Sequence, residues 1–200
     1  MAELTRLHPL EQITAELNRH NNDSVTITVE TFVAMVDVRL PIGDAKPLLV
    51  GVALPSITNT WVATGTGRAI WLGPDEWLLT STAADADELE AQIAEKVRPL
   101  GGAVTDVSAQ RIGIRLTGSR ARDVLAKGCS VDLHPKVFGR GRAAQTTVGL
   151  AGVILLALSD TAEDFLLLVR SSFAGYLADW LLDAVDEFTD PATDPISSQE

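Results

Sequence analysis

Cysteine is nearly absent from these 200 residues. The lone Cys129 excludes an internal disulfide, and with only three histidines beside it no Cys/His cluster is left for a structural zinc site. Such sparing use of thiols points to a reducing cytoplasm. Long apolar runs are missing as well. The longest, Val153 to Leu158, falls far short of a bilayer span, and the opening MAELTRLHPLEQ lacks the apolar stretch of a secretory signal. A soluble, non-secreted, non-membrane protein is expected. Basic residues are scarce, with 16 Lys and Arg against 27 Asp and Glu and a formal net charge of -11. That balance repels nucleic acid and anionic membranes over most of the surface. What the chain does have is apolar mass: 46% hydrophobic residues and a mean hydropathy of +0.16. These values exclude disorder as the dominant state. A chain of this length can bury about 70% of its unfolded surface without disulfide or metal staples.

The few basic residues are not spread evenly. Arg111, Arg115, Arg120, Arg122, Lys127, Lys136, Arg140 and Arg142 are half of the total, packed into 32 positions that hold only Asp123 and Asp132 as acids. From Asp179 to Glu200 every charged residue is acidic. Either the two segments meet different partners, or one covers the other.

Periodicity predicts an α+β fold. Leu10, Ile13 and Leu17 mark a short amphipathic helix stopped by Asn21 and Asn22. Val25, Ile27 and Val29 alternate with polar residues, and a second β-rich run covers Phe32 to Leu40 before Pro41-Ile42-Gly43 breaks it. Lys46 to Gly67 reads as short strands and ordered loops. Ala69–Leu72 and Trp77–Thr80 flank Gly-Pro-Asp-Glu as a hairpin. Asp85 then caps a helix striped by Leu89, Ile93 and Val97 and ended by Pro99, Gly101 and Gly102. A hairpin of 152–158 and 164–170, followed by a helix striped by Phe173, Leu177, Trp180, Leu181, Ala184 and Val185, repeats the pattern. The expectation is two weakly repeated ββα units packing into one sheet-plus-helix architecture, with mainly antiparallel strands and helices on one face. Between them, Ile112, Ile114 and Leu116 alternate with Arg111, Gly113 and Arg115, a strand with a cationic outer face. Ser119 opens a short helix burying Ala121, Val124 and Leu125, and Gly128 is expected to end it in a left-handed conformation. Residues 1–189 are expected to form one unit, with a possible division into about 1–102 and 103–189. Residues 190–200 form a frayed acidic tail.

No residue constellation announces catalysis. Cys129 reads as a small buried hydrophobe. His134, before Pro135, reads as a loop residue bonding its own backbone, and His8 and His20 as solvated helix flanks. Gly139-Arg140-Gly141-Arg142 lacks the strand–GxGxxG–helix context of a nucleotide loop. Among the tryptophans, Trp61 is the candidate interface anchor, because tryptophan and arginine dominate binding hot spots.

Asp106-Val107-Ser108, followed by Arg111-Ile112-Gly113-Ile114-Arg115-Leu116-Thr117-Gly118, resembles the folate-binding fold of the glycine-cleavage T-protein (aminomethyltransferase). The resemblance continues through Gln145-Thr146-Thr147 and the terminal helix. Lys127-Gly128-Cys129, Asp132-Leu133-His134-Pro135, Phe138, Gly139, Gly141, Ala144-Gln145-Thr146 and the LGPDEWLL run at 72–79 resemble more closely the gamma-subunit family of heterotetrameric sarcosine oxidases, over nearly the whole chain.

This second resemblance implies a non-catalytic structural subunit without catalytic, cofactor or metal residues of its own. Its partners would be alpha, beta and delta subunits, with FAD, FMN, NAD, zinc and tetrahydrofolate carried elsewhere in the complex. The complex would oxidatively demethylate sarcosine to glycine, with hydrogen peroxide and formaldehyde or 5,10-methylenetetrahydrofolate. In the folate enzymes the strand after the Gln-Thr segment carries an acidic folate contact, whereas Val153-Ile154-Leu155-Leu156 is wholly apolar, so folate chemistry is not expected. A stand-alone aminomethyltransferase-like or iron-sulfur maintenance protein is the alternative. The latter would need Lys-Gly-Cys-Tyr-x-Gly-Gln where this chain continues into Ser130-Val131-Asp132. Arg111, Arg115, Arg140 and Arg142 are the candidates to dock an acidic partner surface, Arg pairing carboxylates through its planar fork.

Overall fold

A computed structural model describes residues 8–41 and 48–188. The acidic tail at 190–200, and Ile42 and Gly43 of the expected strand break, lie outside the described residues. In chain order the elements are α1 (Thr14–Arg19), β1 (Thr26–Glu30), β2 (Ala34–Arg39), β3 (Leu48–Leu49), β4 (Val52–Ala53), β5 (Trp61–Ala63), β6 (Gly67–Gly73), β7 (Glu76–Ser81) and α2 (Ala86–Val97). They continue with β8 (Ala103–Asp106), β9 (Arg111–Thr117), α3 (Ala121–Ala126), β10 (Ala143–Val148), β11 (Ala151–Ala157), β12 (Asp164–Arg170) and α4 (Ala174–Val185).

Ten of these strands build two antiparallel sheets, in the orders β1-β9-β12-β11-β10 and β5-β6-β7-β2-β8. The two hairpin-plus-helix units therefore sit in different sheets, not in one as their repetition suggested. The reason lies in β11 and β12. Val153, Leu155 and Ala157, with Phe165, Leu167 and Val169, pack under the helices, while Ile154, Leu156, Leu166 and Leu168 on the opposite face are equally buried. A strand apolar on both sides needs a cover on both sides, and the second face is taken by the other sheet. Met35, Ile70 and Leu78 come from that sheet to meet them. Its own outer face, with Val36, Val38, Ala69, Trp77 and Leu79, rests on Leu89, Ile93 and Val97 of α2. The result is helix, sheet, sheet, helix in four layers. Each sheet carries helices on one face, as the α+β expectation required.

Local sequence explains the joints. Asp85 accepts the Glu88 N–H at 2.9 Å and caps α2. Asn21 brackets Ile27 on the free edge of β1, accepting its N–H at 2.7 Å and donating to its carbonyl at 3.1 Å, as a neighbouring strand would. β1 itself pairs with β9, so residues 26–30 join the sheet made otherwise from residues 111–170. α3 ends differently from expectation. Gly128 is not among the residues with positive φ. Its requirement is space: a Cβ there would overlap the Trp180 ring and approach the Gly149 nitrogen to 2.9 Å.

Candidate functional site

The cationic segment folds into separate pieces. Arg111 and Arg115 lie on β9, on the face opposite Ile112, Ile114 and Leu116. Arg115 is satisfied within the chain: its Nε and Nη2 donate to the two carboxylate oxygens of Asp164 at 2.8 and 2.7 Å, on the adjacent strand. This fork-to-fork bond raises the guanidinium pKa further above its ordinary value. Arg111 stands opposite Arg170 across the β9–β12 pairing. Burial, then the like charge of Arg170, push its pKa down, while Asp37 and Glu76 of the other sheet pull it up.

Register separates these two from the other pair. Arg142 precedes Ala143, whose partner Leu156 pairs with Leu166, which pairs in turn with Arg115; Arg111 is at the far end of β9. With strands about 4.8 Å apart, three strand spacings lie between the rows of β9 and β10. Arg140 is exposed, its backbone N–H held at 3.1 Å by Asp160 Oδ1. Arg142 is half-buried, and its Nε is buried without a hydrogen-bond partner among the described residues. The four arginines therefore form no single patch.

Trp61 departs from the anchor role. It is 8% exposed, sits in the cluster between the sheets, and donates its indole N–H to the Ala157 carbonyl at 3.0 Å. An indole so enclosed packs the core instead of meeting a partner. Two further ties cross between the sheets, one from residues that sequence reasoning did not single out and one from Gln145, noted there only as part of a motif. Arg68 on β6 grips Glu30 on β1 with two bonds of 3.0 and 3.3 Å, and Gln145 on β10 donates to the Leu72 carbonyl at 2.9 Å.

Part of the basic segment is covered by the acidic end of the chain. Lys127 donates to the Ala184 carbonyl at 2.6 Å and pairs with Glu187 at 2.8 Å, its ammonium lying 4.8 Å from the centre of the Phe188 ring. Arg120 stacks on the same ring at 5.6 Å while pairing with Asp123. One of the two alternatives offered by the charge pattern is thus realised for Lys127.

A cleft of about 540 Å³ opens beside the turn between β1 and β2, lined among others by His8, Phe32, Met35, Asp106, Ser108 and Arg111. The Asp106-Val107-Ser108 motif borders it, but its polar atoms are spent on the fold. Ser108 Oγ accepts the Met35 N–H at 2.9 Å and donates to Asp106 Oδ1 at 2.6 Å, fastening the end of β8 to β2. His8 is not solvated as expected. Its Nδ1 accepts the Leu10 N–H at 3.2 Å, and its Nε2 is buried without a partner among the described residues. Burial accordingly lowers its pKa, a nearby Glu11 opposing.

Cys129 is half-buried, packed against the larger core and bridged through its backbone to Val148. His134 Nδ1 accepts the Lys136 N–H at 3.2 Å, the local loop role its sequence context suggested. Among the described residues no group of three His, Cys, Asp or Glu side chains is placed to hold a metal ion, and no helix is long and apolar enough to cross a membrane. What the arrangement does chemically is tie two sheets together and present charged edges.

With this geometry in place, the chain can be set beside known proteins. The model of the "Sarcosine oxidase, gamma subunit family" matches residues 42–187. Sarcosine oxidase subunit gamma of Corynebacterium sp. (strain P-1) is 36% identical over 156 residues, covering 78% of this chain and 70% of that protein. Its counterpart in Arthrobacter sp. is 33% identical over 195 residues, 93% of each. In a solved structure of heterotetrameric sarcosine oxidase from Corynebacterium sp. U-96, in complex with pyrrole 2-carboxylate, one chain superposes with a TM-score of 0.83 at 29% identity. That superposition covers 92% of this chain and 97% of that one.

Proposed function

Because the chain belongs to the sarcosine oxidase gamma subunit family, we propose that it serves as the structural, non-catalytic gamma subunit of a heterotetramer with alpha, beta and delta subunits. The complex oxidises the N-methyl group of sarcosine. Sarcosine, oxygen and water yield glycine, formaldehyde and hydrogen peroxide, or the one-carbon unit passes to tetrahydrofolate as 5,10-methylenetetrahydrofolate. FAD, FMN, NAD, zinc and tetrahydrofolate belong to the other subunits in this reading, and the assembly works in the cytoplasm.

One observation carries the proposal: nearly the whole chain superposes on nearly the whole of one chain of the Corynebacterium heterotetramer. The internal chemistry agrees. Ser108, Asp106 and Arg115 are committed to bonds between neighbouring strands of one sheet, and Glu30 to a bond between the two sheets. We read residues 1–189 as one unit, supported by the β1–β9 pairing and the apolar cluster shared by both sheets.

The exposed Arg140, with Arg142 beside it, remains the part of the cationic segment best placed for an acidic partner surface, since Arg115 already has its carboxylate. The test is co-expression of a tagged chain with the other three subunits, followed by purification and mass spectrometry. The expected result is one copy of each subunit and sarcosine-dependent peroxide formation. A tagged chain that elutes as a stable monomer while the other subunits assemble fully active without it would overturn the proposal. The pair Arg140→Glu with Arg142→Glu should leave the chain folded but lower the yield of complex.

A further inference from the structure

The outer face of α4 is unlike the rest of the surface. Phe173, Tyr176 and Trp180 follow one another at spacings of three and four, which places them along one stripe of the helix. Phe173 is 46% and Tyr176 38% exposed, and Leu150, at the turn between β10 and β11, is 81% exposed. These groups are not scattered. The Leu150 N–H donates to Tyr176 Oη at 3.0 Å, which seats the turn on the helix. The turn can come this close because Gly149 has φ of +56° and no side chain; a Cβ there would lie 2.8 Å from Tyr176 Oη and 3.1 Å from the Trp180 ring. Gly128, whose carbonyl accepts the Gly149 N–H at 3.0 Å, makes room for the same indole. Tyr176, Trp180 and the 149–150 turn thus form one tile, built at the expense of two glycines, and the exposed Phe173 lies one turn before Tyr176 on the same stripe.

The rim of this tile is acidic. Asp179 and Asp183 are exposed on α4, and neither forms an ion pair or side-chain hydrogen bond among the described residues. The helix contains no basic residue. An aromatic centre with unpaired carboxylates at its edge has the composition of a binding hot spot and its charged surround. A second copy of this chain would bring the same carboxylates against them in a two-fold contact, and the like charges would repel.

We propose that this face, Leu150 with Phe173, Tyr176 and Trp180, docks a different subunit through an apolar contact rimmed by lysine or arginine. This rests on the heterotetramer reading above. It assigns the acidic end of the chain a partner distinct from the acidic surface that Arg140 fits. The rings supply area at little cost in side-chain entropy, and the carboxylates steer approach and fix orientation.

The test uses the co-expressed complex and two pairs of substitutions. Leu150→Asp with Phe173→Asp removes apolar contact from positions already exposed, and Asp179→Lys with Asp183→Lys reverses the rim without touching the tile. Each isolated variant should melt within a few degrees of the natural chain, and each should lower recovery of the four-subunit complex by roughly tenfold or more. Association of the natural complex should weaken as salt rises, with a smaller salt effect on what remains after Leu150→Asp with Phe173→Asp. Should the first pair unfold the chain, the rim pair decides alone.

Recovery of complex at the natural level with the rim pair, or with both pairs, overturns the docking face while leaving the heterotetramer reading intact. Failure of the natural chain itself to co-purify with any subunit overturns both. A homodimer of the isolated chain that Leu150→Asp abolishes overturns the proposal in favour of a second copy as occupant.

Discussion

Replacing Trp61 by phenylalanine tests the claim that this residue belongs to the seam between the sheets and not to an external contact. The indole N–H donates to the Ala157 carbonyl at 3.0 Å inside the protein, and that oxygen also accepts the Gly141 N–H at 3.3 Å. Phenylalanine therefore removes one hydrogen bond without orphaning its acceptor, a loss of about 0.5–1.5 kcal/mol. The smaller ring leaves a void of roughly 40 Å³, which at about 24 cal/mol per Å³ adds about 1 kcal/mol. The total is about 1.5–2.5 kcal/mol. For a chain of this length each kcal/mol moves the midpoint by about 2–4 °C, so the isolated variant should melt about 3–10 °C below the natural chain, by calorimetry or near-ultraviolet circular dichroism. Once folded it should still enter the complex. If Trp61 instead anchored a partner, the isolated chain would melt unchanged and assembly would fail. That pair of results would refute the placement of Trp61 in the core.

Gly128→Ala should lower stability by about 1–3 kcal/mol, since the added methyl meets the Trp180 ring and the Gly149 backbone. Pairing it with Trp180→Leu should recover part of the loss, and strictly additive midpoints in thermal melts would contradict the contact. Glu76 titrates above the ordinary glutamate range, because burial and a hydrogen bond with Asp37 outweigh its 2.7 Å pairing with the exposed Arg39. A carboxyl raised in this way stabilises the fold while protonated, and that stabilisation is lost as pH rises through its folded pKa. Glu76→Gln should therefore gain on the natural chain near pH 7 by up to about 1 kcal/mol, with the advantage vanishing toward pH 4. Midpoints measured across that range check it, and an advantage that grows toward acid would contradict the sign.

The parts of the fold legible in the sequence are those decided by neighbours along the chain. The Asp85 cap, the hairpin around Pro74-Asp75 and the stripe of α2 each need only a few adjacent residues to specify them. The layering was not legible, because strands buried on both faces lose the alternation that tells one face from the other. β11 and β12 carry near-continuous apolar runs, which say that both faces are covered but not by what. Arg115 was readable as a cation on a strand face. Its neutralisation by Asp164 depends on the β9–β12 register, which no local pattern fixes. His8 and Trp61 were misjudged for a related reason: their surroundings come from the cleft and from the far sheet. Gly128 was recognised as necessary, but the requirement comes from Trp180, more than fifty residues further on. The closeness to a known family came from the motif order around Asp106 and Lys127, not from any chemistry those residues perform.

The position of β1 has a consequence for the order in which the protein is made. It leaves the ribosome before every strand of the other sheet, yet its partner β9 begins only at Arg111. At roughly 5–20 residues per second, the nascent chain carries an unpaired strand for several seconds. During that interval β2, β6, β7 and β8 can pair among themselves, with α2 closing over them. Ile27 and Val29 meanwhile wait with their apolar face uncovered. The Asn21 side chain, which occupies the backbone of Ile27 on one side, shields that waiting edge from a wrong neighbour. Of the strands in the two large sheets, β1 is separated from its first partner by the longest stretch of chain, from Glu30 to Arg111, and so waits longest to be paired.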